Sequence, residues 1–405
     1  MAVEISDEPQ QTTDGRWPIS TDRVHAAARC WLIAAPLLYA WDLWGQTRTG
    51  LTNGLGRPFG DDFINYWSGA WLAWHGRIAD VYNFQALHLF ERALSGPDLL
   101  FYHYGYPPVL LVLTAPLALV PYVPGLALWL ISSWYAFYRA LRLAAPNMAL
   151  LLSLATPALF VNAIGGQNGA WSAALLGGGL MLLDRRPIAA GMLFGLLVYK
   201  PHLGLLLPLA LLAGRRWPAF VSATITVFVL VGTTLLLFGL APWFAYAENL
   251  EVLKYFILED GTGVWHRMMS VFVMARHFGL SVDAAYIAQA ASAMVAAAVV
   301  ARSWWRDDAM EIRYGLLVLG TCLATPYLQD YDLVVGAFIV VWLLTLQRRG
   351  LMSRGVAQLA MAAILLWPLV NGAIGKATGL ALGPLVIAPL FILFASLKPE
   401  RARAT

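Results

Sequence analysis

Residues 60–76 have the sequence GDDFINYWSGAWLAWHG, and the rest of the fold is organised around them. From Phe63 onward the bulky apolar residues recur every three or four positions, which predicts one helix with an aromatic stripe. Tryptophan and tyrosine rings favour the headgroup layer of a bilayer, so we expect this helix to lie at a membrane surface. Two adjacent carboxylates, Asp61 and Asp62, precede the helix and would then stand between water and lipid.

The composition of the chain is that of a membrane protein. Hydrophobic residues make up 60% of the sequence and charged residues 12%, and the mean hydropathy is +0.64. Long apolar runs separated by short arginine-rich turns predict an all-α polytopic membrane protein rather than an outer-membrane barrel. We expect one integral unit over residues 26–397, between cytoplasmic tails at 1–25 and 398–405.

The apolar runs predict about twelve transmembrane spans. They cover residues 26–44, 123–141, 148–164, 168–183, 187–199, 203–212, 219–240, 284–300, 314–324, 333–346, 356–370 and 380–395. Residues 107–120 form a run too short for a comfortable span, with prolines near both ends, so we predict a re-entrant or interfacial segment. Two loops lie outside, 45–106 with amphipathic interfacial helices and 241–283.

The distribution of charge sets the orientation. The formal net charge is +4, but the arginines stand at span ends, which indicates the positive-inside bias and no nucleic-acid partner. Both termini are then cytoplasmic. Cys30 and Cys322 fall inside apolar spans, so no disulfide is expected.

In this orientation, polar residues gather at the outer ends of apolar spans, which predicts a membrane-embedded site. The candidates are Asp61, Asp62, His103, Tyr106, Gln167, Asn168, Lys200, His202, His266, Arg267, Gln329, Asp330 and Asp332. The sequence lacks Walker, GxGxxG, GxSxG and HExxH motifs, and its His and Asp residues lack ligand spacing. We therefore predict no cofactor and no metal.

Many of these candidates also have a purely structural explanation. Asp61 or Asp62 is placed to cap the following helix, although a carboxylate facing a cavity near lipid can act as a base. Lys200 is either a snorkelling lysine at a span end or an anchor for an anion beside a proline break. Asn168 and one of Asp330 and Asp332 are placed to cap helices, and His202, His266 and Arg267 are residue types that often lie at interfaces or in loops.

Several short motifs, in this order, carry a resemblance to a known family. They are Asp62-Phe63-Ile64-Asn65-Tyr66, Tyr106-Pro107-Pro108, Gly166-Gln167-Asn168, the glycines Gly191 and Gly195, Lys200-Pro201 and the turn Arg215-Arg216-Trp217. With these motifs the chain, over about residues 26–346, resembles glycosyltransferase family 87, the polyprenyl-phosphate-mannose-dependent mannosyltransferases of the GT-C fold. It departs from the family pattern in its late outside loop and at residues 326–332, which contain no histidine.

The resemblance implies a function and roles for particular residues. Asp62 matches the general base, Asp61 is an additional acid beside it, and Lys200 matches a contact to the lipid phosphate. The implied reaction moves a sugar, mannose in this family, from a polyprenyl-phosphate donor to a hydroxyl of a glycolipid or glycan, with inversion. The implied location is a bacterial inner membrane with the site facing the periplasm. The alternatives are a transporter or flippase of a lipid-linked sugar and a non-catalytic assembly subunit.

Overall fold

The computed structural model describes residues 21–261 and 263–397. The predicted C-terminal tail, 398–405, lies outside the described residues, as do residues 1–20 of the predicted N-terminal tail. Within the described ranges the chain is helical, and its only β-type pairings are isolated bridges such as Met268 with Gln329. The prediction of an all-α protein is confirmed for this part of the chain.

The first third of the chain holds one long helix followed by short ones. The helices are α1 (Thr21–Gly45), α2 (Phe63–Trp74), α3 (Ile78–Val81), α4 (Phe84–Ser95) and α5 (Val109–Leu113), the last continued by the 3-10 turn Ala115–Leu119. The predicted loop 45–106 therefore contains three helices. The segment 107–120 forms only short helical pieces, which are too short to cross a bilayer.

The middle of the chain alternates long helices with broken ones. It contains α6 (Tyr122–Ala144), α7 (Ala149–Ala155), α8 (Pro157–Ile164), α9 (Gly169–Leu182), α10 (Pro187–Leu196), α11 (Leu207–Ala213), α12 (Trp217–Phe238) and α13 (Ala241–Leu253). Two 3-10 turns, Leu197–Tyr199 and Pro201–Gly204, separate α10 from α11, and the π-helix Lys254–Asp260 continues α13.

The last third is built from longer helices. After the 3-10 turn Trp265–Arg267 come α14 (Val271–His277), α15 (Val282–Trp305), α16 (Met310–Ala324), the 3-10 turn Asp330–Val335, α17 (Gly336–Arg348), α18 (Arg354–Thr378) and α19 (Pro384–Ser396). The closely packed core lies mainly in α9, α16 and α17 and the residues around them.

Four helices among the described residues are long and apolar enough to cross a membrane: Trp217–Phe238, Val282–Trp305, Asp330–Arg348 and Arg354–Thr378. Predicted span 148–164 is interrupted, because a proline cannot donate the backbone hydrogen bond that would continue the helix. It divides at Thr156-Pro157 into α7 and α8, whereas the break around Pro201 falls in the gap between the predicted spans 187–199 and 203–212. The total of twelve crossings stays a prediction.

The helix α2 is where the aromatic stripe predicts it, but its surroundings differ from the prediction. Phe63, Tyr66 and Trp67 are at most 7% exposed, and only Trp74, at the end of the helix, is clearly exposed. The rings pack against Tyr122 and Trp129 of α6 and Phe90 of α4. The stripe forms the core of the 45–106 region, so the expectation of rings lying in the headgroup layer is wrong for most of it. An apolar period of three to four residues identifies the buried face of a helix, but it does not show whether lipid or protein covers that face.

Candidate active site

Two tight turns in contact position the start of α2. Gly60 and Asp61 have φ values of 81° and 50°, and Gly166, in the turn between α8 and α9, has a φ of 56°. A Cβ at Gly166 would fall on the Gly60 carbonyl oxygen, so only glycine permits this approach. The contact brings Gln167 next to Asp62.

Asp61 is held on the side of this turn away from the cavity. Its Oδ2 accepts from Arg57 Nε at 2.8 Å and its Oδ1 from the Tyr102 hydroxyl at 2.7 Å. Arg57 also donates to Asp42 Oδ1 at 2.8 Å and to the Ile164 carbonyl at 2.9 Å. Asp61 therefore belongs to a network that ties α1, the loop and α8 together, and it does not line the cavity described below.

Asp62 occupies the N-cap position of α2 but makes no side-chain cap hydrogen bond. The capping explanation is therefore wrong for Asp62, and the Asp61 side chain is engaged elsewhere. Gln167 Nε2 donates to Asp62 Oδ2, while Asn65 Nδ2 lies 3.5 Å from Oδ1. Burial, and then the charge of Asp61, raise the pKa of Asp62 to about 7, against the opposing effect of Arg267.

Asp62 lines a cavity of about 430 Å³. Eight of the predicted site residues form part of its wall: Asp62, His103, Tyr106, Gln167, Lys200, His202, Arg267 and Gln329. Asn168, Asp330 and Asp332 lie directly behind that wall and bond to residues in it. The predicted convergence of these polar groups is thus observed in the fold, although their roles stay predictions.

Lys200 is neither a snorkelling lysine nor a free anion anchor. Its side chain is 1% exposed, and Nζ lies 2.5 Å from Asp332 Oδ1 and 3.0 Å from Asn168 Oδ1. The ammonium also stands 4.5 Å from the centre of the Tyr331 ring. Its charge is therefore already balanced inside the protein. A lysine this deep needs such partners, because an unpaired buried charge is costly.

Asp332 and Asn168 complete this arrangement. Asp332 Oδ2 accepts from the Gln329 backbone N–H at 3.1 Å, so the predicted cap is confirmed for Asp332. Asn168 stands at the N-cap of α9, but its side chain makes no cap bond and instead contacts Lys200, Tyr66 and Tyr106. The helix-cap explanation is wrong for its side chain.

Arg267 is the other cation of the cavity wall. Its Nη2 lies 3.0 Å from Asp330 Oδ1, and its side chain keeps 22% of its surface exposed. The neighbouring His266 does not line the cavity. Its backbone packs against Gly375 of α18, and its carbonyl accepts from Asn371. The two residues, adjacent in sequence, thus point to different surroundings.

Two histidines of the wall contribute neutral rings. Burial lowers the pKa of His103 to about 4, so this ring is uncharged at neutral pH. The His202 ring meets Tyr327 edge-on at 5.6 Å, and its Nε2 has no hydrogen-bond partner among the described residues. Neutral imidazoles can donate or accept hydrogen bonds to hydroxyl groups without adding charge.

Sequence reasoning missed part of the wall. Tyr66 is one helical turn after Asp62, so its spacing is compatible with the site, but the aromatic stripe predicts its ring at the membrane surface instead. Tyr327 and Tyr331 flank predicted residues and were passed over. The end of α13 and the π-helix supply an apolar side through Leu253 and Ile257, which no motif indicated.

The described residues contain no group of three or more His, Cys, Asp and Glu side chains that could hold a metal ion. The predicted absence of a metal stays a prediction. Both cysteines are free, Cys30 exposed and Cys322 buried, as the sequence predicted.

The fold and the site together define a helical membrane protein with an internal cavity, at whose wall burial raises the pKa of the Asp62 carboxyl group to about 7 close to buried ion pairs. The family model for glycosyltransferase family 87 matches residues 104–326, more than half of the chain, and the chain belongs to that family. Asp62 lies before the matched range, whereas Gln167, Lys200 and Arg267 lie within it. No curated protein and no solved structure matches the chain.

Proposed function

We propose that this membrane glycosyltransferase moves a sugar, mannose in our proposal, from a polyprenyl monophosphate to a hydroxyl of a glycolipid or glycan. Family membership supports the transfer of a sugar. The observation that carries the mechanism is Asp62, a carboxyl group whose pKa is raised to about 7 at the wall of the cavity. A base is most effective when its pKa lies near the working pH.

In the proposed reaction, Asp62 takes the proton from the acceptor hydroxyl as its oxygen attacks the anomeric carbon. The new C–O bond forms while the bond from that carbon to the phosphate oxygen breaks, so configuration inverts and polyprenyl phosphate leaves. General-base assistance contributes about 10²–10⁴-fold. Holding the two substrates in line adds several kcal/mol, on the order of 7–11 at most.

We assign the contact with the leaving phosphate to Arg267. Asp330 engages Nε and Nη2 of its guanidinium, and Nη1 is the donor we assign to the phosphate. Lys200 is 1% exposed and already paired, so in this proposal it supports the site from behind through Asp332. This changes the role that the resemblance implies for Lys200.

The proposed setting is the inner membrane of a bacterium, with both termini cytoplasmic and the cavity open to the periplasm. The isoprenoid tail of the donor would lie in the bilayer between helices while its phosphate enters the cavity. The arginine-rich turns at 185–186 and 215–216, at the ends of α9 and α11 away from the cavity, support this orientation. No cofactor is needed, since the donor brings its own leaving group.

Purified protein in liposomes with radiolabelled polyprenyl-phosphate sugars tests the proposal. Formation of free polyprenyl phosphate and a labelled acceptor is expected, and identifying the product names the sugar and the acceptor. Relocation of intact donor between leaflets would indicate a flippase instead. The absence of both transfer and relocation would indicate an assembly subunit.

The variant Asp62→Asn separates chemistry from binding. It should lower the transfer rate by at least about 10²-fold, because the amide cannot accept the proton. The matched control is Asp98→Asn, an exposed aspartate of the same region, which should keep wild-type rates. Normal transfer by correctly inserted Asp62→Asn protein would refute the assignment of the base.

A further inference from the structure

A chain of four hydrogen bonds connects Lys200 to Asp62 through the interior. Lys200 Nζ donates to Asn168 Oδ1 at 3.0 Å, and Asn168 Nδ2 donates to the Tyr66 hydroxyl at 3.1 Å. The Tyr66 hydroxyl donates to Gln167 Oε1 at 3.0 Å, and Gln167 Nε2 donates to Asp62 Oδ2.

The direction of each bond follows from the two ends of the chain. An ammonium can only donate, so Asn168 must turn its oxygen to Lys200 and its nitrogen to Tyr66. An ionised carboxylate can only accept, so Gln167 must turn its nitrogen to Asp62 and its oxygen to Tyr66. The single proton of the Tyr66 hydroxyl is thereby committed to Gln167. Every bond donates toward Asp62.

The four residues of the hydrogen-bond chain behind Asp62 are shielded from water. Tyr66, Gln167, Asn168 and Lys200 are each at most 2% exposed. In such surroundings aligned hydrogen bonds polarise one another, and each is stronger than it would be in water. The effect accumulates at Asp62, the only member that faces the cavity with a group able to take a proton in our proposal.

We infer that Tyr66, Gln167 and Asn168 are positioning residues that hold Asp62 as an anion with Oδ2 occupied and Oδ1 directed to the acceptor. The inference rests on the proposed role of Asp62 as base. It adds to the site three residues that act only through Asp62. In this inference the buried Lys200–Asp332 pair holds in place the first donor of the hydrogen-bond chain.

The hydrogen-bond chain opposes protonation of Asp62 at Oδ2. A proton on Oδ2 would be donated to Gln167, whose amide would have to turn its nitrogen toward Tyr66. The Tyr66 hydroxyl already accepts from Asn168 and, having spent its proton on Gln167, also from Tyr106 at 2.8 Å. It has no lone pair left for a third donor. The proton taken from the acceptor is thus directed to Oδ1, while Oδ2 keeps its hydrogen bond from Gln167.

Other charges also act on Asp62 and must stay constant in a test. Asp61 and Glu91 disfavour its ionised form, whereas Arg57, Arg267 and Lys200 favour it. The tyrosines that surround it are Tyr66, Tyr102, Tyr106, Tyr327 and Tyr331. Tyr66→Phe changes none of the formal charges and keeps the ring that packs on Trp129.

The test measures the titration of Asp62 directly in the full-length protein. Infrared difference spectra between each background and its Asp62→Asn derivative isolate the protonated carboxyl band. With Tyr66→Phe we expect the midpoint to move up by about half a pH unit or more, since the chain is cut one residue before Gln167. The matched control is Tyr104→Phe, a buried tyrosine whose hydroxyl has no partner among the described residues, and it should not move the midpoint.

An unchanged midpoint in folded Tyr66→Phe protein overturns the inference. Should that variant fail to fold, Asn168→Leu interrupts the hydrogen-bond chain one bond earlier. An upward shift of the Asp62 midpoint in that variant supports the inference, and an unchanged midpoint overturns it. The spectroscopic result does not depend on turnover. Full activity of Asp62→Asn would refute the role of Asp62 as the base, but it would not affect a hydrogen-bond chain detected by the midpoint shift. The two proposals can therefore be refuted independently.

Discussion

Lys200 Nζ lies 2.5 Å from Asp332 Oδ1, across 132 residues of sequence. The pair joins the break between α10 and α11 to the turn before α17, and both side chains are at most 1% exposed. A buried pair of this kind adds little net stability compared with apolar residues, but losing one member leaves an uncompensated charge. Its value here lies in fixing the wall of the cavity.

This pair gives a stability prediction. Lys200→Met should destabilise the protein by about 3–5 kcal/mol, because Asp332 is then buried without its cation. The double variant Lys200→Met/Asp332→Asn should recover part of the loss, since the buried charge is gone and the new amide still offers a cap oxygen to Gln329. Thermal unfolding in detergent measures both. Equal melting temperatures for the single variant and the wild type would contradict the structural role.

Arg267 is expected to govern the affinity for the donor. Arg267→Lys keeps the charge but loses the planar fork that holds Asp330 and a phosphate together, so the donor KM should rise about tenfold, or about 1.4 kcal/mol. The acceptor KM should change less. Steady-state kinetics with each substrate varied separately checks this, and a donor KM equal to wild type would remove Arg267 from the phosphate contact.

The rate should depend on pH through Asp62. The pKa of this carboxyl is raised to about 7, so the base form is depleted below that value and kcat/KM should fall as the pH drops from about 8 to about 6. Asp61→Asn removes a like charge and should therefore shift the fall in kcat/KM to lower pH. Asparagine tolerates the positive φ at position 61, which keeps the turn. An unchanged pH dependence of kcat/KM in Asp61→Asn would mean that Asp61 does not act on Asp62 electrostatically.

Gly166→Ala should disable the site. The added methyl group would fall on the Gly60 carbonyl oxygen, so the turn carrying Asp62 must move. Gly379→Ala is the control, because Gly379 also has a positive φ of 69° but no atom within reach of an added Cβ. Both variants bear the strain of a left-handed residue, about 1 kcal/mol, and only Gly166→Ala should lose transfer at least about 10²-fold. Similar activities in the two variants would contradict the contact.

The sequence was most informative where a pattern is local. The spacing of the stripe placed α2 correctly, and residues from most of the polar clusters at span ends do line one cavity. Local spacing could not reveal that the stripe is covered by α4 and α6, because burial depends on elements distant in sequence. For the same reason Lys200 could be identified as important, whereas its partner Asp332 could not be found without the fold.

Apolar length was the least reliable guide. The run from 148 to 164 was predicted as one span, but it folds as two short helices, α7 and α8, because Pro157 interrupts the helix. Asp61 and Asp62 are adjacent and chemically identical, but their surroundings in the fold differ. Asp61, which has a φ of 50°, contacts Arg57, whereas Asp62 lines the cavity.

The cavity takes its wall from residues as far apart as Asp62 and Tyr331. During synthesis the ribosome must therefore deliver most of the polypeptide before Lys200 can meet its counter-ion. A nascent chain that has inserted only its early helices holds Asp62 without the enclosure that makes it basic. The wall around Asp62 is therefore closed only once the residues up to Tyr331 are in place.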